Sequence, residues 1–239
     1  MSHPSPALLA VFAHPDDETF RPGGTLALLA RRGVRVQVLT ATRGQAGSCG
    51  EPSLCTPDEL PAVREHELRC ACTALGIEPP ILLDYQDGHL AMADPETIVA
   101  EILAVVADVC PQAMLTFGPD GLSGHPDHIA IGKFATEAYH RSNNVSALYT
   151  LAVPQSLADA LGMAQLHALP DESITLAIEV SETWEAKMKA IHCHATQLSA
   201  SPMTRAPLER QRLFLGSEHY VRAAERDRQD FFSELEAEL

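Results

Sequence analysis

No segment of this sequence approaches the roughly 20 consecutive apolar residues that a membrane-crossing helix needs, so no membrane partner is expected. The short run Leu8–Ala13 lacks a basic flank and leads straight into a His/Asp cluster, which argues against a signal peptide. Cationic residues are scarce: 17 Lys and Arg stand against 32 Asp and Glu, a formal net charge of −15. A field of that sign repels phosphate backbones and anionic lipid, which excludes nucleic acid as the natural partner class. The six cysteines form no CxxC motif. Cys70, Cys72, Cys110 and Cys193 fall in or beside helical stretches and are expected as small buried thiols. Cys49 and Cys55 share one Gly/Pro-rich loop, where a bond between them is conceivable, but reduced thiols and a cytoplasmic location are the expectation. Repeats, low-complexity tracts and linkers are lacking too. A chain of 239 residues with 46% hydrophobic content then fits a single domain, 1–239, with a substantial core.

What the chain does have is alternation. Residues 7–13, 34–40, 81–84, 112–117, 147–153 and 174–180 read as strands. Residues 25–32, 57–75, 95–110 and 127–141 read as helices, with further helical stretches between the last two strands and at 181–199, 206–215 and 222–237. Thr56 and Asp94 serve as caps and Gly76 as a stop, while 41–57 is a long loop of the functional kind. Strand–helix alternation predicts an α/β fold, a three-layer sandwich with a mostly parallel sheet covered on both faces. Ligands in such sheets sit beyond the C-terminal strand ends.

Two motifs fall at such ends: His14-Pro-Asp-Asp-Glu18 after the first strand, and His125-Pro-Asp-His128 after the fourth. Either alone fits a turn or a capped helix start. Together they supply metal ligands with groups to spare for acid–base work. Asp16 and Asp17 are adjacent, so their side chains diverge into different roles: His14 and Asp17 bind a metal, and Asp16 faces the bound water. Of His125 and His128, one completes the ligand set and the other lies near the substrate. Three protein ligands leave a fourth position for water, as in catalytic zinc sites. Iron or another divalent metal suits the same donors. Two competing functions remain open on the residues alone, a non-haem iron enzyme and a non-catalytic sugar- or metal-binding module.

The two motifs, with Pro22-Gly-Gly24, Thr42-Arg-Gly44, Ala46-Gly-Ser48, Arg64-Glu65 with Glu67, and His194-Ala-Thr-Gln197, resemble the LmbE/PIG-L family of zinc-dependent N-acetylglucosamine deacetylases over most of residues 7–200. The resemblance implies a Rossmann-like fold with His14, Asp17 and His128 as zinc ligands and Asp16 as the general base toward the zinc-bound water. It implies a protonated His125 stabilising the oxyanion, with Asp127 orienting it. The substrate would be a small amino sugar, for example a glucosaminyl-malate or glucosaminyl-inositol thiol precursor. Arg64, Asp87, Arg43 and His194 are the candidate substrate contacts, with Arg43 or Arg64 meeting an anionic aglycone. A homo-oligomer is left open. Two departures from the family pattern stand out: Arg21 precedes Pro22-Gly-Gly24 where relatives often have glycine, and Ser123 stands where some carry a tyrosine that assists the oxyanion.

Overall fold

The computed structural model describes residues 6–226 and 231–232. Its first strand, β1 (Ala7–Phe12), is buried at every position, as a near-continuous apolar run in the middle of a parallel sheet should be. It pairs in parallel with β2 (Arg35–Thr42) on one side and β4 (Ala113–Phe117) on the other. Outward from these lie β3 (Ile81–Tyr85) beside β2 and β5 (Ala147–Ala152) beside β4, both parallel to their neighbours. The full order is β3-β2-β1-β4-β5-β7-β6, in which β7 (Ser217–Glu225) runs antiparallel to both β5 and β6 (Leu176–Glu179). Strand order reverses between β1 and β4, so a crevice opens at their C-terminal ends. Both His/Asp motifs lie there.

Helices cover both faces. α2 (Gly23–Arg31), α3 (Leu60–Leu75) and α7 (Trp184–Cys193) pack together, while α4 (Pro95–Val109) and α5 (Pro126–Arg141) pack on each other and on β1. Short helices complete the set: α1 (Asp17–Phe20), α6 (Gln155–Leu161) and α8 (Leu208–Leu215). Two of the three expected punctuation marks are present, whereas α3 starts at Leu60 with Glu59, not Thr56, at its N-cap. Asp94 accepts from the Thr97 amide at 3.0 Å to cap α4, and Gly76 ends α3 at φ 73°. Among the described residues no helix is long and apolar enough to cross a membrane.

Two expectations are corrected. The helix expected at 222–237 is replaced through residue 225 by β7; Phe231 and Phe232 are helical, and 227–230 and 233–239 lie outside the described residues. The Ala/Glu/Arg composition of 222–226 favours helix locally, but β5 and β6 both need a partner between them, and pairing overrides propensity. The other correction concerns sulfur. Cys70 on α3 and Cys193 at the end of α7 form a disulfide, with Cα atoms 5.7 Å apart, whereas Cys49 and Cys55 stay unpaired. Tight α3–α7 packing brings the two thiols together across 123 residues of sequence, a proximity no local pattern reveals. Cys72 is buried as expected and Cys110 is exposed.

Candidate active site

The turn after β1 is built around Asp17. Its carboxylate accepts from the amides of Ala13 (3.1 Å) and His14 (2.9 Å), which folds the chain back so that the His14 ring and the Asp17 oxygens face one way. His128, in the first turn of α5, donates from Nδ1 to the Gly121 carbonyl at 3.1 Å. That bond leaves Nε2 as the acceptor, 3.2 Å from Asp17 Oδ1 and 3.2 Å from His14 Nδ1. The third edge, His14 Nδ1 to Asp17 Oδ2, is 3.7 Å. Donors on a tetrahedral cation with bonds of about 2.0–2.2 Å lie roughly 3.3–3.6 Å apart, so the three groups fit a divalent metal such as zinc. The far nitrogen of His14 meets carboxylates of Asp87 at 3.0 Å and Asp127 at 3.3 Å, the usual device for fixing a ligating imidazole. His14, His125 and His128 also bring nitrogens within 4.8 Å of one another.

Charge is arranged to match. Burial works against a proton on His14, but Asp127, Asp87 and Asp17 outweigh it and lift the ring to about 10. Burial would raise Asp17, yet His128 and His14 hold it far below the ordinary carboxylate range. Asp16 goes the other way: burial pushes it up to about 6, with Arg64 opposing. Its backbone sits at φ 108°, a region non-glycine residues avoid. The Glu18 carboxylate, accepting from the Asp16 amide at 2.9 Å, and the Thr19 hydroxyl, donating to the Asp16 carbonyl at 2.8 Å, hold it there.

Comparison with known proteins places the chain in a family. The model described as PIG-L, GlcNAc-PI de-N-acetylase, matches residues 9–139, just over half of the chain. A 1D-myo-inositol 2-acetamido-2-deoxy-alpha-D-glucopyranoside deacetylase from Actinosynnema mirum is 36% identical, covering 81% of each chain. The chain belongs to the PIG-L family. A probable N-acetyl-alpha-D-glucosaminyl L-malate deacetylase 2 from Bacillus cereus is 31% identical over 81% of this chain and 84% of its own. By fold alone, the 4-carboxy-2-hydroxymuconate hydratase GalB of Pseudomonas putida KT2440 is similar, with a TM-score of 0.70, 19% identity, and 95% and 99% of the two chains covered. That one PIG-L-like fold carries a hydratase means the site, not the fold, must carry any argument about reaction.

The remaining candidates sort themselves within this PIG-L site. Burial and the neighbouring His128 and His14 weaken the hold of His125 on a second proton, and its Nδ1 accepts from the Asp127 amide at 3.2 Å. It therefore offers a neutral Nε2–H. Asp127 does not orient it through its carboxylate, which is taken by the amides of Gly88 (2.7 Å) and Leu90 (3.1 Å) and by His14. Asp87 likewise accepts from the Ala46 amide at 2.9 Å while holding His14. Both aspartates brace His14.

Arg64 is buried and binds the carbonyls of Gly44 and Pro15, with its second amino group 3.3 Å from Asp16 Oδ2. Arg43 faces away, tied to Glu65 and Asp84. His194 is fully buried with Nε2 2.6 Å from Glu18 Oε1. Neither Arg43 nor His194 lines the crevice. Arg21 also turns inward, donating to the Phe214 and Ala152 carbonyls. Ser123 is exposed at the rim.

Three groups escaped the sequence reading. Glu18 links His194 to the Asp16 amide, and Glu67 holds Thr196 by amide and hydroxyl at 2.8 and 2.7 Å. Gln197 grips both the amide and carbonyl of Ser48 and so fixes the loop wall. All three stood inside recognised motifs, so their presence was legible but not their task.

Two cavities meet at the cluster. One, of 340 Å³, is polar and lined by His14, Arg64, Asp87, His125 and Gln197. The other, of 370 Å³, is walled mainly by apolar side chains, and both share Asp16, Asp17 and His128.

Proposed function

We propose that this chain removes the N-acetyl group from an N-acetylglucosamine-containing small molecule, with zinc or another divalent cation held by His14, Asp17 and His128. The observation that carries this reading is the convergence of those three donors within 3.7 Å, with the Asp16 carboxylate alongside and committed only to Arg64. A cation bound there would supply a Lewis acid that polarises the amide carbonyl and acidifies water.

The protein's own groups supply the rest. Asp16, ionised at neutral pH, accepts a proton from the attacking water and returns it to the leaving nitrogen as the C–N bond breaks. The Nε2–H of His125 donates to the oxygen that gains charge. Asp127 and Asp87 keep the His14 ring in one tautomer, and Arg64 holds the Asp16 carboxylate in line. The polar cavity suits a sugar, whose hydroxyls need donors and acceptors. Inositol- and malate-linked glucosaminides are the leading substrates, on the strength of the relatives' names.

Asp16→Asn tests the reading. Metal content should stay at one ion per chain while amine release from an N-acetylglucosaminide panel falls by about 10²–10⁴-fold. Undiminished turnover in that variant would count decisively against Asp16 as the proton acceptor and against this mechanism.

A further inference from the structure

An amide has two sides, and the reading above fills only one of the two cavities. A sugar belongs in the polar one. An acetyl group then leaves a single methyl to face the 370 Å³ cavity across the cluster, whose walls include Phe20, Phe117, Leu122, Met163, Leu166 and Phe214. These come from α1, the end of β4, the loop before α5, the segment after α6, and α8. Arg21 at this wall donates from both amino groups to backbone carbonyls and lies 4.8 Å over the Phe214 ring, while its buried Nε has no partner. Polar groups, Ser123, Gln165, Ser201 and Arg210, are also among the lining residues. Methionine walls adapt to flexible apolar chains, and a largely apolar cavity with a few polar groups is the general form of a small-molecule site.

We propose that this cavity is an acyl-chain site, and that the enzyme hydrolyses N-acyl amino sugars whose acyl group is a straight chain of about four to eight carbons in preference to acetyl. The inference rests on the amide-hydrolase reading and extends it to the acyl half of the substrate. The reaction is the same hydrolysis. Water oxygen bonds to the acyl carbon, the C–N bond breaks, and one water proton goes to the amine while the other leaves the new carboxylic acid.

The test uses the zinc-loaded enzyme and two substrate series read by amine release. In the first, one aglycone is kept and the N-acyl group runs from acetyl through butyryl and hexanoyl to octanoyl. Each buried methylene should raise kcat/KM about three- to fourfold, giving at least a tenfold rise from acetyl to hexanoyl. In the second, the acyl group stays acetyl and an alkyl aglycone is lengthened, which should give no comparable rise. Leu166→Trp and Met163→Trp, at half-buried wall positions, should each cut the hexanoyl-to-acetyl ratio at least tenfold. The ratio within one variant does not depend on how much of it folds. A flat or falling acyl series with the acetyl substrate still cleaved overturns the acyl site and leaves the deacetylase standing. So does a rise confined to the alkyl aglycones, or a ratio unchanged in both variants. If metal-loaded enzyme releases amine from no member of either series, both readings fall.

Discussion

On the proposed reading, a proton and a metal compete for His14. Its ring, lifted to about 10 by three carboxylates against the effect of burial, must be neutral at Nδ1 to bind a cation. Each unit of pH below that value therefore costs at least tenfold in apparent zinc affinity, and more where His128, also raised, must shed its proton too. Competition with a calibrated chelator between pH 6 and 8 should show this slope, and calorimetry in buffers of different ionisation enthalpy should show proton release on binding. An affinity flat with pH would contradict the assignment of His14 as a ligand. Residues of this kind were the most legible ones. Short runs of His and Asp at strand ends declare their chemistry locally. What could not be read locally was pairing: that Asp127 serves His14 and not His125, that Arg43 faces Asp84 and Glu65, and that His194 meets Glu18. Each depends on which side chain the fold brings up from 22 to 176 residues away.

Among elements, the junction of α2, α7 and β7 is held by a fully buried ion pair, Lys187 Nζ to Glu218 Oε1 at 2.6 Å. Glu218 also accepts from the amides of Gly24 and Thr25 at 2.8 and 2.7 Å, capping α2 from a neighbouring strand. Burial draws Lys187 down to about 8, with Glu218 opposing, so the amine keeps its proton at pH 7. Lys187→Met strands the carboxylate and should cost about 3–5 kcal/mol in urea unfolding. The double variant with Glu218→Gln should cost less than the two singles summed. The α3–α7 disulfide makes a separate demand. Cys70→Ser should lower stability by about 2–4 kcal/mol, or roughly 5–15 °C in Tm. Thiol titration of the unreduced, denatured protein should find only the four cysteines left free, Cys49, Cys55, Cys72 and Cys110. The first six strands and the five longer helices were visible in the sequence pattern. β7 was not, since its Ala, Glu and Arg residues take an extended form only because two strands flank it.

At the level of the whole molecule, the cluster is preformed. Asp17 is fixed by the amides of Ala13 and His14, His128 by Gly121, and His14 by Asp87 and Asp127. Chelation should therefore abolish amine release yet leave the far-UV circular dichroism unchanged. The Tm should drop only by the binding free energy lost, and added zinc should restore both. Loss of secondary structure on chelation would mean that the metal, not the sheet, organises the crevice. The α/β architecture and the crevice at the strand-order reversal followed from alternation alone; the second cavity did not, because its walls are gathered from six separate stretches of chain.

Those walls have one more consequence. Every candidate metal ligand and proton-handling group precedes residue 130, within the span 9–139 that the family model matches. Much of the apolar wall, from Gly162 to Phe214, comes later. The groups proposed for the chemistry and much of the proposed acyl wall thus come from different stretches of the chain, tied together by contacts such as His194 with Glu18 and Gln197 with Ser48.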